Sequence, residues 1–530
     1  MTKGPGFWVW GLGSGLRSSV AGLVSFFILV TLTQAGNLKY IPTDSRLYDD
    51  IDILKTGGLI QPLPSTSKPW TEAEFLSLLL EAESLSKSRR LNPAQQMAVK
   101  RLRAELVEKR IMTRLATLEG TVQFDPFARC RLQKNNQRVS LGMTMANTPA
   151  EQFFFYERIE MTGLNPKQGS VPDSCGWHNP GTRVCAWRDR VLWEMERAYF
   201  GFKLPWLRLE LGRDEFFWGP GYNSSVMLSD NAPALDQIQF SISSPNLKFI
   251  QFTSLLSRWN RRHRFLSGQR LEVSLFRRLV LAGAMFNVYT WESAVDFSGM
   301  LNPLLPLYFS VANSGHGDNL LLGWDAVLYL PGSKIYGQLF LDNYEFNTRK
   351  DAPNCVALQA GLFFSPSAPI DFRVEYSLIT AFTYYHRLRD IMFENYSVPL
   401  GHELGPDADR LWARFRLTPL AWLSASVWAD YTRRGYYNRG DYERLSFDEK
   451  DTIFLRYYYS FPARGYDYTT GELLEEVEKT IRVGPEIEIT PLTDLYISAS
   501  LGWSCCQNKE GRIGDNRTEP EFSIKLEYRH

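Results

Sequence analysis

From Glu119 to the C-terminus, apolar residues recur at every second position of this chain. The segment RLWARFRL puts Leu411, Ala413, Phe415 and Leu417 on one face of an extended backbone and Arg410, Trp412, Arg414 and Arg416 on the other, because successive side chains of a strand point to opposite sides. IRVGPEIEI, DFRVEYSL, LYISASLGW and FSIKLEYRH repeat the pattern. About eighteen such segments begin near residues 120, 136, 152, 190, 206, 236, 247, 269, 281, 319, 334, 354, 370, 408, 421, 477, 493 and 519. Soluble sandwiches alternate too, but this run is large for one. An all-β transmembrane barrel of antiparallel strands, apolar outside and charged inside, fits it better.

The connections point the same way. Every second one is short and usually carries proline, as in NTPAE, KLPW, SSPN, LPGS, SPSAP, TPLAW and TPLTD, with RRLV the exception. The intervening ones are mostly long, at 164–189, 214–235, 257–268, 290–318, 385–407 and 434–476. Bacterial outer-membrane barrels are built so, with turns in the periplasm and loops outside. Closure also leaves no strand edge unpaired in lipid. The last strand alternates Phe522, Ile524, Leu526 and Tyr528 with polar residues and ends on His530, where such barrels usually carry an aromatic.

The N-terminus reads as an export signal over residues 1–35: Lys3 and Arg17, the run VAGLVSFFILVTL, then Thr33-Gln34-Ala35. Residues 36–118 have helical periodicity and form a small periplasmic domain that would plug the barrel. Leu47, Ile51 and Leu54 share a face ahead of Gly57-Gly58. Thr71 and Glu74 make a capping box, and a third pattern follows Pro93. No later stretch is long and apolar enough for a transmembrane helix. A net charge of +1 gives no support for a nucleic-acid partner.

On this topology the six cysteines lie on the oxidising side. Cys175 and Cys185 share one external loop, where a bridge would contribute roughly 2.8 kcal/mol in the chain-entropy model. The set lacks a repeated metal-ligand spacing, so no metal site is expected.

The stretch LELGRDEFFWGPGYNSSVMLSDNAP follows the fifth strand. Together with YIPTDSRLYDDIDILKTGGLI and SKPWTEAEFLSLLLEA, it resembles the Wzi capsule-assembly family over nearly the whole mature chain. Where that family often reads two tryptophans before Gly-Pro-Gly, this chain has Phe217-Trp218. The resemblance implies an outer-membrane barrel with a periplasmic helical bundle that binds secreted capsular or extracellular polysaccharide and helps hold it on the cell surface.

Sugar rings offer C–H faces to aromatic rings and hydroxyls to amides and carboxylates. Trp218, Tyr222, Asn223, Asp230 and Asn231, on an external loop, supply both kinds of contact. The same motif also reads as structural: Gly219-Pro220-Gly221 is a turn signal, and Arg213 with Asp214 could pair inside the barrel. A second candidate is SRWNRRHRF, where Arg258, Arg261, Arg262 and Arg264 surround Trp259 and His263. Such a cationic loop suits an acidic glycan or the lipopolysaccharide of the outer leaflet alike. The Arg410, Arg414 and Arg416 ladder faces the lumen opposite acids such as Glu375, Glu486, Glu488 and Glu527.

An enzyme is not expected. Asp214 and Glu215 are neighbours whose side chains diverge, and NSSV lacks a nucleophile elbow. A monomeric, cofactor-free glycan binder is the expected function, with a diffusion porin as the alternative from barrel size alone.

Overall fold

The computed structural model describes residues 39–529 apart from 62–63, 109–121, 134–135, 151, 165–182, 187–190, 260–261, 291–301, 304, 315–317, 344–354, 387, 436–465, 468–471, 474–476, 493–494, 510–511 and 513. The segment read as an export signal lies outside the described residues.

Eighteen long strands close into one antiparallel barrel. They are β1 (Val122–Gln133), β2 (Asn136–Ala150), β3 (Phe153–Leu164), β4 (Val191–Lys203), β5 (Leu207–Asp214), β6 (Leu235–Ser244), β7 (Leu247–Trp259), β8 (Arg262–Leu275), β9 (Leu279–Thr290), β10 (Asn319–Leu330), β11 (Ser333–Asn343), β12 (Cys355–Phe364), β13 (Ile370–Ile379), β14 (Ala408–Leu420), β15 (Leu423–Arg434), β16 (Glu478–Leu492), β17 (Leu495–Gln507) and β18 (Arg517–Arg529). Each pairs with the next, and β18 returns to β1 with Leu526 opposite Cys130.

The alternation is realised as read. Leu411 and Phe415 are 47% and 48% exposed on the outer wall, while Arg410 and Arg416 are 7% and 2% exposed inside. The chain turns tightly at one end, as at residues 331–332 and 421–422, and makes its longer excursions at the other.

Two connections depart from the reading. The stretch 257–268 is not a loop: β7 runs to Trp259 and β8 resumes at Arg262, with Leu256 opposite Arg264. Its arginines suggested a loop because charge is disfavoured in lipid. Arg258 and Arg262, however, sit at the rim and reach solvent, so the ladder can continue, while Arg264 is not part of an outer cationic loop but is buried and turned inward.

In the connection 291–318, helix α4 (Leu307–Ser314 in chain order, after three N-terminal helices) lies against the outer wall. Outward-facing Gln251, Thr253, Ser267, Gln269 and Asn287 are all buried there. Gln269 donates to the Leu305 carbonyl at 2.9 Å and accepts from the Leu307 N–H at 3.0 Å. Covering these amides avoids the cost of unpaired polar groups facing lipid.

The N-terminal helices are α1 (Leu47–Thr56), α2 (Glu72–Ser86) and α3 (Pro93–Arg103). The Thr71/Glu74 capping box forms, and Asn92 with Gln95 forms a second ahead of Pro93. Leu47, Ile51 and Leu54 share a core with Phe75, Leu78 and Leu102. This unit sits at the short-turn end, where the Gly332 N–H donates to the Thr56 carbonyl at 3.0 Å.

Candidate functional site

Helix α1 carries LYDDIDILKT and turns Asp49 and Asp52 toward inward-facing bases of the barrel, while Asp50 pairs with Arg101 of α3. Asp49 accepts from Arg373 at 2.9 Å, Arg414 at 3.2 Å and Arg416 at 2.8 Å. Arg416 also donates to Asp371 at 2.7 Å, and Lys334 to Asp52 at 2.9 Å. Burial pushes the Asp49 carboxyl up, but Arg416, Arg373 and Arg414 outweigh it and hold it well below the usual carboxylate range.

The arginine ladder therefore does face the lumen, but its main partners are not the expected wall acids. Asp49 arrives from another element, and a helical acid leaves no period-two signature on the strands. Only the DDID run hinted at it. Glu375 is engaged elsewhere, accepting from Tyr336 at 2.7 Å and from the Tyr222 N–H at 2.8 Å. Glu488 accepts from Arg46 at 3.3 Å.

The stretch after β5 does not project outward. Residues 215–234 turn into the lumen and meet the N-terminal segment, with Trp218 paired to Ser67 and Phe217 to Lys68. The Gly219 N–H donates to the Thr66 carbonyl at 2.8 Å. Gly219 has φ +128, and a Cβ there would stand 2.3 Å from Gln338 Oε1, so only glycine makes this turn without strain.

Trp218 is 1% exposed, edge-on to Phe252 at 5.2 Å and beside Phe286 at 5.2 Å. No face of it is open to a sugar. An aromatic cluster of β7 and β9 side chains draws the loop inward, which strand periodicity alone cannot reveal.

The other residues of the motif are also engaged within the molecule. Tyr222 stacks on Trp412 at 5.3 Å and lies under the guanidinium groups of Arg373 and Arg414, at 4.2 and 4.7 Å from its ring centre. The Asn223 N–H reaches Glu375 at 3.4 Å. Asp230 accepts from Thr43 at 2.6 Å, and Asn231 donates to the Pro399 carbonyl at 3.0 Å. Arg213 and Asp214 do not pair with each other: Arg213 faces outward to Asp236 at 2.8 Å, and Asp214 faces inward to Arg197 at 3.5 Å.

A second inward connection, residues 380–407, closes over the first. The Tyr384 hydroxyl donates to the Val226 carbonyl at 2.8 Å, and the Ser229 N–H to the Leu400 carbonyl at 2.8 Å. Arg264 anchors this layer through the Asp390 and Met392 carbonyls at 2.8 and 2.6 Å. His402 is buried within it, 3.1 Å from the Ser377 hydroxyl, and burial together with nearby Arg410 keeps its imidazole neutral.

At the long-loop rim, Arg258 is exposed, and Arg262 is exposed while paired to Asp390 at 3.0 Å. Arg261 and the Trp259 side chain lie outside the described residues. So do Cys175 and the Cys185 side chain, and with them the expected bridge. Among the described residues Cys130, Cys505 and Cys506 are free thiols.

The lumen is filled unevenly. Inward side chains of β7 to β14, such as Arg270, Phe340, Gln359 and Arg373, are buried. Those of β16 and β17, such as Glu486, Ser498 and Ser500, remain half-buried. Among the described residues no three His, Cys, Asp or Glu side chains group as a metal site.

The family profile described as capsule assembly protein Wzi matches residues 131–517. The chain is similar in fold to the solved structure of Wzi from Escherichia coli, an outer membrane protein involved in group 1 capsule assembly and a carbohydrate-binding β-barrel. The TM-score is 0.61 at 15% identity, covering 92% of this chain and 98% of that one. A more remote likeness is to OprD of Pseudomonas aeruginosa, with a TM-score of 0.43 at 9% identity, covering 77% of this chain and 94% of that one. No curated protein matches the chain in sequence.

Proposed function

Because this chain belongs to the capsule assembly protein Wzi family, we propose that it is a non-enzymatic outer-membrane barrel that holds secreted acidic polysaccharide at the cell surface. In this reading the short turns and α1 to α3 face the periplasm and the longer connections face outward.

The observation that carries the reading is the filled lumen. Helix α1, residues 215–234 and residues 380–407 are stacked through it, which leaves the outer face to do the work. On that face Arg258 and Arg262 form a cationic edge beside residues 388–394. Guanidinium groups suit carboxylates of acidic sugars. Each contact is weak, so retention comes from many repeats engaging many barrels.

Arg258→Ala with Arg262→Ala should leave the barrel inserted but release polysaccharide into the medium. Binding of purified polymer to the parent should weaken as salt rises, because exposed charge pairs are screened. Normal insertion with parental retention of cell-bound polymer would sink the reading.

Orientation has its own test in a cysteine-free background. A cysteine at Gly332 should stay unlabelled by an impermeant maleimide in intact cells, and one at Gly435 should react. The reverse pattern inverts the topology.

A further inference from the structure

The filling of the lumen stops short of one stretch of wall. Along β14 to β17 the inward side chains include Trp412, Trp428, Arg482, Ser498 and Ser500, and all five are only half-buried. On the filled side, by contrast, the aromatic rings of Phe252, Phe286 and Phe340 are at most 1% exposed.

The two tryptophans are each held from one side. Trp412 stacks on Tyr222 with ring centres 5.3 Å apart. Tyr222 is itself fixed, under the Arg373 and Arg414 guanidinium groups and with its N–H on Glu375. Trp428 packs on the backbone of β17, where a Cβ on Gly502 would stand 3.4 Å from its ring, so glycine makes room for the indole. Trp412 pairs with Asp430, the next inward position after Trp428, which puts the two indoles on diagonal positions of adjacent strands and within reach of each other. Both keep exposed surface and so forgo part of the stabilisation that burial gives Phe252 and Phe286. The next strands bring Gly484, Ser498 and Ser500, which are too small to cover them.

The accessible polar groups beside the indoles carry both signs. Arg482 donates to Asp430 at 3.1 Å, and Arg410 donates to Glu403 at 2.6 Å at the next inward position from Trp412 toward the long-loop end. The Arg482 and Glu403 side chains are 36% and 46% exposed. Such pairs offer donors and acceptors alike and select no net charge. An anion would meet carboxylates there as often as guanidinium groups, and a wholly apolar ligand would strip water from the pairs without replacing it. A pyranose ring satisfies both requirements, because its C–H face lies on an aromatic ring while its hydroxyls donate and accept.

We propose that Trp412 and Trp428 form a stacking site for uncharged pyranose rings of a glycan in the open part of the lumen. The inference rests on the polysaccharide reading above and deepens it: the edge at Arg258 and Arg262 holds the polymer by its charge, and this site holds it by its rings.

The probes are short oligosaccharides cut from the cell's own extracellular polysaccharide, with their carboxyls reduced to alcohols so that no carboxylate remains for the arginine edge. Full-length protein, in a detergent without a sugar headgroup, should bind them saturably with a change in tryptophan emission. The affinity should hold as salt rises, since stacking and neutral hydrogen bonds are not screened as charge pairs are. Trp412→Ala and Trp428→Ala should each weaken binding about three- to tenfold, the loss of one aromatic contact. Trp428→Phe, which keeps a ring, should retain most of it. Heat-dependent gel migration identifies the variants that stay folded.

Lack of saturable binding by the parent, parental affinity in the folded alanine variants, or affinity that falls with salt would each overturn the proposal. The two readings fail separately. The Arg258 and Arg262 variant should bind these neutral oligosaccharides as the parent does. Loss of surface polymer in that variant, with no binding of the neutral probes by the parent, defeats this inference alone. Parental surface retention in that variant, with tryptophan-dependent binding of the probes, defeats the outer reading alone.

Discussion

Asp49→Ala should release the helical unit from the barrel. The substitution leaves Arg373, Arg414 and Arg416 crowded in the lumen with Asp371 as the remaining carboxylate within reach of Arg414 and Arg416. Removing one partner of a buried ion pair costs about 3–5 kcal/mol, because the charges left behind are neither solvated nor matched. The helices should become protease-sensitive while the strands stay protected, since the barrel ladder does not depend on Asp49.

Acid should act in the same direction. The folded carboxyl of Asp49 lies below its unfolded value, so its contribution is complete above about pH 4 and is lost as pH falls through the folded value. Detachment of the parent therefore belongs to strongly acidic solution, whereas Asp49→Asn should detach at neutral pH. Parental protease resistance in both variants would show that apolar contacts alone seat the helices.

Trp218→Ala should be nearly as costly, at about 3–5 kcal/mol for a buried tryptophan whose cavity cannot fully collapse. The ring bridges Phe252 on β7 and Phe286 on β9, and its backbone pairs with Ser67 of the helical unit. Its loss should loosen the stack of connections inside the barrel and lower the temperature at which the loop region melts. Planar-bilayer recording supplies a second readout. The parent should pass little current and the variant distinctly more. Large steady currents from the parent would favour the porin alternative, and unchanged melting in the variant would mean that Trp218 does not hold the loop.

The strands were legible because lipid outside and water or charge inside impose a period of two on every spanning segment. The segment starts read from the sequence agree with the strands to within a few residues except at β8. There, charged residues at a solvent-facing rim imitated a loop. The capping residues Thr71 and Asn92 were equally local, since a helix start is satisfied by side chains two or three positions away.

The direction taken by residues 215–234 was not legible. A sequence shows that a segment is irregular and aromatic. It does not show whether the rings meet solvent or the inner faces of strands far away in the chain, such as Phe252 and Phe286. The partner of the Arg414 and Arg416 ladder was hidden for the same reason. Asp49 lies more than three hundred residues upstream, and no spacing rule links a helical acid to a strand base.

What the sequence by itself determined was the wall: a closed barrel whose outward residues are apolar and whose inward residues are charged, because each spanning segment answers to its immediate solvent. What only the tertiary structure decided was the filling of that wall. Trp218, Asp49 and the tip at Gly219 to Asn223 take their roles from contacts between distant elements. The balance of burial and ion pairing that draws them inside exists only once the barrel has closed around them.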